Sequence, residues 1–175
     1  YKDGKLISRH MRDLYGTGEL NELQSRFYQA TRTPEELYDL ENDPFEINNL
    51  ADNPEFRDVL EKMRSALYQW MQDTNDPGLI PEPWLEDLGK KYGNKCTAMK
   101  QPEYMDINQR LIKIIEAGEK NDIATLLDKI ESGEPSERYW AVTWLGVNKA
   151  QSARSKVNRL LKDKDPSVRI AANLA

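Results

Sequence analysis

Apolar residues recur at spacings of three and four along much of this chain, and the clearest such stripe predicts a helix over residues 55–73. Asn53 and Pro54 precede it, and these residue types are favoured as an N-cap and as a first helical residue. The stripe consists of Phe56, Val59, Leu60, Met63, Leu67, Trp70 and Met71. Because a lone helix cannot bury these side chains, we expect the helix to dock on a sheet or on another domain. On that reading, Leu67→Ala or Trp70→Ala costs about 2–5 kcal/mol of stability.

Two short segments of the first part carry strand patterns instead. Residues 36–40 alternate polar and apolar side chains and end at turn residues 42–44. Residues 1–7 read as a second strand, and we expect its Lys5–Ile7 part to pair with residues 36–40 in a small antiparallel sheet. A weaker apolar pattern predicts a helix over residues 21–29.

The second part of the chain is helical by pattern along almost its whole length. The predicted helices comprise residues 106–119, 121–130, 135–145, 151–162 and 166–174. Connections of a few residues predict that neighbouring helices pack antiparallel. Residues 75–84 before them hold three prolines and a glycine, which forbid a continuous helix, while Trp84 and Leu85 suggest a linker pinned to a surface.

These patterns together predict an α+β fold that is mostly α. We divide the chain into a sheet-and-helix domain over residues 1–76, a Pro-rich linker over 77–103 and a helical region over 104–175. The chain begins at Tyr1 rather than Met and ends at Ala175 within a helical pattern, so we expect it to be a piece of a longer protein.

An internal sequence similarity predicts that the helical region is made of repeats. Residues 135–141 align with residues 166–172 at an offset of 31, with Pro, Ser, Arg and Ala coinciding. The segment Asp165–Arg169, followed by small apolar residues, resembles the hallmark of HEAT repeats, which implies stacked helix pairs. We expect a truncated array whose last helix, residues 166–175, shows less hydrogen-exchange protection than residues 107–130.

Composition and charge exclude several function classes. The chain has 175 residues, of which 38% are apolar and 31% charged, and no apolar run approaches the ~20 residues of a membrane span. Residues 1–76 carry nine Lys/Arg against sixteen Asp/Glu, and residues 77–175 carry sixteen against fourteen, so no nucleic-acid footprint is expected. The single cysteine and single histidine exclude an intrachain disulfide, a Cys-based metal site and a His-His-carboxylate metal site.

Residues 35–55 carry a more specific signal. They read Glu-Glu-Leu-Tyr-Asp-Leu-Glu-Asn-Asp-Pro-Phe-Glu-Ile-Asn-Asn-Leu-Ala-Asp-Asn-Pro-Glu, and the predicted helix after them leads into Trp70 and a tail through Pro77. This arrangement resembles the C-terminal signature of the sulfatase family, over about residues 1–85. The segment 11–30 and the ending at 75–77 are most similar to heparan N-sulfatase (sulfamidase) relatives.

The resemblance implies a parent enzyme that hydrolyses sulfuric esters or sulfamates on a sulfated sugar, in the periplasm or outside the cell. Its formylglycine nucleophile and its calcium ion are expected in an N-terminal part, which would be the partner of this segment. The formylglycine motif Cys/Ser-x-Pro/Ala-x-Arg is not in this chain. Cys96 is followed by Lys100 where that motif has Arg, so we interpret it as an unmodified thiol. We expect no catalytic residue, cofactor or metal ligand here.

Three weaker site candidates each have a structural alternative. Arg9, His10 and Arg12 form a basic cluster that could face an anionic sugar, since Arg suits sulfate or carboxylate, or could simply be a solvated strand-to-helix turn. A calcium site could be imagined on Asp39, Asp43 and Glu46, but we expect Asp43 to cap a turn. Sugars could stack on Trp70, Trp140 and Trp144, but we expect these three to be core residues.

Two functional hypotheses from different classes follow. In the first, the chain is the C-terminal part of a sulfatase, which completes the catalytic fold, carries a helical appendage and is inactive alone. In the second, it is a helical-repeat module that binds another protein and has no catalytic role. A formylglycine motif in the coding sequence upstream of Tyr1 would favour the first.

Overall fold

The structure is a computed structural model that describes residues 4–29 and 32–175. The chain forms two compact units, residues 1–64 and residues 65–175. The helices are α1 (Leu6–Thr17), α2 (Glu22–Ser25), α3 (Arg57–Thr74), α4 (Glu82–Tyr92), α5 (Lys95–Met99), α6 (Ile107–Glu119), α7 (Ile123–Ser132), α8 (Pro135–Val147), α9 (Arg154–Leu160) and α10 (Pro166–Leu174). The prediction of a mostly α fold is confirmed. None of these helices, within the described ranges, has the length and apolar character that crossing a bilayer requires.

The predicted antiparallel sheet is wrong, since residues 4–29 and 32–175 contain no strand. Lys5 lies just before α1, and Leu6 and Ile7 are its first helical residues, because Leu6, Ile7, Met11 and Leu14 also fit a helical period. The rest of that predicted strand, residues 1–3, lies outside the described residues. Residues 36–39 have no regular secondary structure and Leu40 begins a turn, so within the described residues this segment forms no strand.

The helix predicted over residues 55–73 is confirmed as a turn of 3₁₀ helix, Pro54–Phe56, followed by α3. The Asn53 side chain accepts a hydrogen bond from the Glu55 amide at 3.1 Å, as expected of an N-cap. Its apolar stripe is mostly uncovered, with Met63 57% and Trp70 53% exposed. The expectation that Trp70 is a core residue is therefore wrong, because the helical period identifies an apolar face but not what lies against it.

This exposure changes the expected effect of truncating the stripe. Leu67 is 52% exposed, so Leu67→Ala should lower the free energy of unfolding by less than about 1 kcal/mol. Leu111→Ala is the matched control, because Leu111 is fully buried and its truncation should cost about 2–5 kcal/mol. Denaturant unfolding followed by tryptophan fluorescence measures both. A loss of 2 kcal/mol or more in Leu67→Ala would mean that the stripe is covered in solution.

The second unit holds the main core, and residues 77–103 contribute to it. Trp84, Leu85 and Leu88 of α4 are buried, together with Ala98 and Met99 of α5. The core continues through α6, α7 and α8, whose buried apolar residues include Leu111, Ile114, Leu126, Ile130, Val142 and Leu145. The segment that the sequence suggested as a linker thus folds into helices that pack on the helical region.

Helices α6, α8 and α10 repeat one pattern at their first turns. Each begins after an acidic N-cap residue (Asp106, Glu134 and Asp165). Two residues further on, each has a buried polar side chain (Asn108, Ser136 and Ser167), and after two more an arginine (Arg110, Arg138 and Arg169). The sequence comparison found the second and third copies and missed the first, because α6 lacks the Pro-Ser pair.

The repeated helices also contact one another in the same way. α8 packs on α6, α7 and α10, and α10 packs on α9. A Cβ atom on Gly118 of α6 would lie 2.2 Å from the ring of Trp144 in α8. Gly146, eleven residues after the start of α8 as Gly118 is in α6, makes the same kind of close approach, 2.7 Å from such a Cβ to the Cα atom of Ala175. Glycine is required at both places because a residue of the next repeated helix, or of its C-terminal end, occupies the space of a side chain.

Candidate functional site

The loop of residues 35–55 in the first unit is shaped by side chains that bond to its own backbone. The Asp43 carboxylate accepts hydrogen bonds from the amides of Ile47 (2.8 Å) and Asn48 (2.7 Å). The Asp39 carboxylate accepts from the Glu41 amide at 3.1 Å and from the Asn42 side-chain amide at 2.7 Å. Hydrogen bonding from Asn42 holds the pKa of Asp39 below its ordinary value. The prediction that Asp43 caps a turn is confirmed.

Asn49 is the residue that closes this loop, and sequence reasoning missed it. Its Oδ1 accepts from the amides of Leu37 (2.9 Å) and Ala51 (3.0 Å), and its Nδ2 donates to the Glu35 carbonyl oxygen at 3.0 Å. The Leu50 amide donates to the Leu37 carbonyl oxygen at 2.8 Å. A side chain twelve residues away thus satisfies the Leu37 amide and holds this segment in place, without a paired strand among the described residues.

An ion pair and a cleft lie beside the closed loop. Arg64 of α3 donates to Glu35 through Nε at 2.6 Å and through Nη2, and this hydrogen bonding holds the pKa of Glu35 below its ordinary value. The cleft has a volume of about 360 Å³ and includes Asp52, Arg57 and Glu61 in its lining. Carboxylates outnumber guanidinium groups there, so the cleft suits a polar hydrogen-bonding ligand better than a bare anion.

The predicted substrate-binding residues Arg9, His10 and Arg12 all lie on α1, and all three side chains are exposed. Arg9 and Arg12 are three residues apart and share one side of the helix, whereas His10 lies on a neighbouring side. The structure thus brings the two arginines together and separates the histidine from them. The strand-to-helix turn of the alternative interpretation is wrong, because α1 occupies that position.

The remaining candidates are the possible metal ligands, Cys96 and the tryptophans. Among the described residues, no three His, Cys, Asp or Glu side chains are placed to hold a metal ion. Cys96 is an exposed free thiol at the start of α5. Trp140 and Trp144 are half-buried and pack against the core of the second unit, as expected, and Trp140 Nε1 donates to the Leu79 carbonyl oxygen at 2.7 Å. Asp39 and Asp43, which were considered as calcium ligands, instead accept hydrogen bonds from within their own loop.

The first unit leaves several large apolar side chains uncovered. Leu37 is the one apolar side chain that is buried in the described part of this unit. Phe45 is 82% exposed at the tip of the closed loop, and Phe27 is 81% exposed. Leu6, Ile7 and Leu40 are each more than 60% exposed. Where such side chains adjoin, they are typical of a surface that another structure covers.

Comparison with known proteins gives partial alignments to sulfatases. The chain is 39% identical over 72 residues to an ulvan-active sulfatase of Formosa agariphila. It is also 39% identical over 72 residues to the N-sulphoglucosamine sulphohydrolase of Homo sapiens, and 49% identical over 79 residues to the uncharacterized sulfatase YidJ of Escherichia coli.

Part of this chain is related to the sulfatases. The alignments cover 41%, 41% and 43% of the chain and only 12%, 14% and 16% of those three relatives. The sulfatase-related chain therefore spans less than a fifth of the length of these relatives. No protein-family model and no solved structure matches it.

Proposed function

We propose that this chain is the C-terminal part of a sulfatase that hydrolyses sulfuric esters or sulfamates on a sulfated carbohydrate. In this proposal, the first unit completes the catalytic fold and the second unit is a HEAT-like appendage. The observation that carries it is the identity to three sulfatases, at 39% or more over at least 72 residues. The sulfamidase-like subfamily and a periplasmic or extracellular location belong to the same proposal.

The uncovered apolar side chains support a docking role for the first unit. Phe45 lies within the sulfatase-like segment and is held outward by a loop that Asp43 and Asn49 fix. Covering a phenylalanine ring contributes roughly 1.5–3 kcal/mol, so a few such residues suffice for a stable intramolecular interface. The proposed occupant is the N-terminal catalytic part of the same protein.

The chemistry of the proposal belongs to that N-terminal part. A formylglycine there would supply the nucleophile and a calcium ion would bind the sulfate group. This chain contributes Arg9 and Arg12, whose guanidinium groups suit a sulfate or carboxylate, with His10 on the neighbouring side of α1. In the joined enzyme, Arg9→Ala with Arg12→Ala would raise KM for an anionic sugar more than it lowers kcat.

The isolated chain should have no sulfatase activity, because it has neither the formylglycine motif nor a metal site among the described residues. The purified chain would be assayed with a fluorogenic aryl sulfate and with N-sulfoglucosamine, with and without calcium. Hydrolysis that stays with the protein through repurification would contradict the assignment of catalysis to the N-terminal part.

The positive test uses the coding sequence upstream of Tyr1. A Cys/Ser-x-Pro/Ala-x-Arg motif some hundreds of residues earlier supports the proposal, and its absence contradicts it. In the joined protein, Phe45→Asp should reduce the yield of active enzyme severalfold, whereas Glu41→Gln in the same loop, also exposed, should not. Equal yields for the two variants would remove Phe45 from the interface.

A second candidate function is a helical-repeat module that binds another protein without any catalytic role. The pattern shared by α6, α8 and α10 favours it, since repeated helix pairs build extended binding surfaces. It predicts that the chain binds its partner when expressed alone and that no formylglycine motif lies upstream.

A further inference from the structure

The repeated arginines of the second unit form a forward series of ion pairs. Arg110 of α6 lies 3.0 Å from the carboxylate of Glu137, which belongs to α8. Arg138 of α8 lies 2.9 Å from the carboxylate of Asp163, just before α10. In each case the arginine of one repeated helix binds an acidic residue near the start of the next repeated helix.

Arg169 of α10 is the third member of this series, and residues 4–29 and 32–175 place no such carboxylate on it. Its Nη1 donates to the backbone oxygens of Asp163 (2.7 Å) and Lys164 (2.9 Å). Arg110 and Arg138 likewise donate to backbone oxygens that precede their own helices, those of Glu103 and Gly133. Within the described residues, Arg169 makes the backward contacts of the series but not the forward one.

Two apolar residues of α10 are exposed, whereas their counterparts in α6 are buried. Leu111 and Ile115 of α6 are 0% and 8% exposed. Their counterparts in α10, which are Ile170 and Leu174, are 59% and 81% exposed. These two side chains line an apolar cleft of about 330 Å³, together with Pro166, Arg169 and Asn173. We call this surface the α10 face.

We propose that the α10 face binds a further helical unit of the same pattern, which places a carboxylate on Arg169 and covers Ile170 and Leu174. The face continues the series of interfaces that α6 makes with α8 and α8 makes with α10. A second copy of α10 placed face to face fits less well, because Arg169 would meet its own like charge and the lining of the cleft offers it no acidic residue. The partner is therefore an apolar helix with an acidic residue near its start.

A duplication of the chain's own repeat tests this proposal. Ala175 corresponds to Trp144 at the 31-residue offset, so residues 145–175 appended after Ala175 continue the repeat in register. The appended copy brings a second Asp163 toward Arg169. Hydrogen exchange at the amides of residues 170–174 should slow at least tenfold. The matched control is the same duplication with Asp163→Ala in the appended copy, which should lose most of that gain.

Three results would overturn the proposal. The first is unchanged exchange at residues 170–174 in a duplicated chain whose circular dichroism shows the added helices. The second is equal protection with and without the appended Asp163. The third is a dimer of the native chain, seen by sedimentation and abolished by Ile170→Lys, because the occupant would then be a second copy.

A measurement in trans applies even if the duplicated chain does not fold. A synthetic peptide of residues 145–175 is added to the native chain, and the methyl signals of Ile170 and Leu174 are followed by NMR. The proposal expects these signals to shift, and Arg169→Glu in the native chain to weaken the effect at least fivefold. No shift at millimolar peptide would contradict it.

Discussion

Replacing Arg138 with alanine will destabilise the second unit by about 3–5 kcal/mol. The Arg138 guanidinium binds both oxygens of Asp163 at 2.9 Å and donates to the Gly133 carbonyl oxygen at 2.7 Å. The two side chains are only 19% and 10% exposed. Truncating the arginine leaves the Asp163 charge largely buried without its bidentate partner, and this loss is what makes breaking a buried pair costly.

Denaturant unfolding followed by tryptophan fluorescence measures this effect, since all four tryptophans lie in the second unit. Asp87→Asn is the control, because the Lys90–Asp87 pair is 74% and 66% exposed and its loss should change stability little. A loss below about 1 kcal/mol in Arg138→Ala would show that the pair contributes little to this packing.

The loss of stability in Arg138→Ala should depend on pH. Burial would raise the pKa of Asp163, but hydrogen bonds from Arg138 and from the Asp165 amide hold it below its ordinary value. A lowered pKa means that the stabilisation is present above about pH 3.9 and is lost as pH falls through the folded-state value. The stability difference between the native chain and Arg138→Ala should therefore be largest near neutrality and should narrow in acid.

Asn108→Asp will destabilise the second unit by at least about 3 kcal/mol at neutral pH. Asn108 is 1% exposed, and its Nδ2 donates to the carbonyl oxygens of Met71 (2.9 Å) and Asp76 (2.8 Å). A carboxylate has no hydrogen to donate, so the replacement leaves a buried charge facing two carbonyl oxygens. Asn158→Asp is the control, because Asn158 is exposed on α9 and its replacement should change stability little.

Acid should partly rescue Asn108→Asp. Burial and the facing oxygens raise the folded-state pKa of the introduced carboxyl, since both disfavour its charged form. A raised pKa makes the penalty grow as pH rises above about 3.9 and shrink below it, where the neutral carboxyl can donate one hydrogen bond. Unfolding curves from pH 3.5 to 7 measure this. A penalty that is independent of pH would mean that the site admits water.

The helices of the second unit were predictable because several independent signals coincide there. Pro135 and Pro166 begin helices, Gly133 follows one, and apolar residues recur at helical spacing between them. The 28-residue offset between α6 and α8 was not visible in the same way. Asn108 replaces a serine of the pattern, and its equivalence rests on burial and hydrogen bonding, which no periodicity reports.

The first unit was less predictable because local pattern does not determine it. Residues 36–40 alternate like a strand, yet the Asn49 side chain bonds to the Leu37 amide and to the Glu35 carbonyl oxygen where a neighbouring strand was expected. Such a bond joins residues twelve apart and depends on one side chain, so it leaves no periodic signal. The stripe of α3 shows the same limit, since spacing identified its apolar face while Met63 and Trp70 lie uncovered.

The closed loop of the first unit has a thermodynamic consequence for association. Its backbone amides bond to Asp39, Asp43 and Asn49, so the loop's shape does not depend on contact between Phe45 and any other surface. A side chain displayed on such a preorganised loop loses little conformational entropy when it becomes covered, because the backbone ordering already took place on folding. The free energy of burying Phe45 would then carry no cost of ordering the loop backbone, and the association would follow rigid-body docking instead of coupled folding and binding.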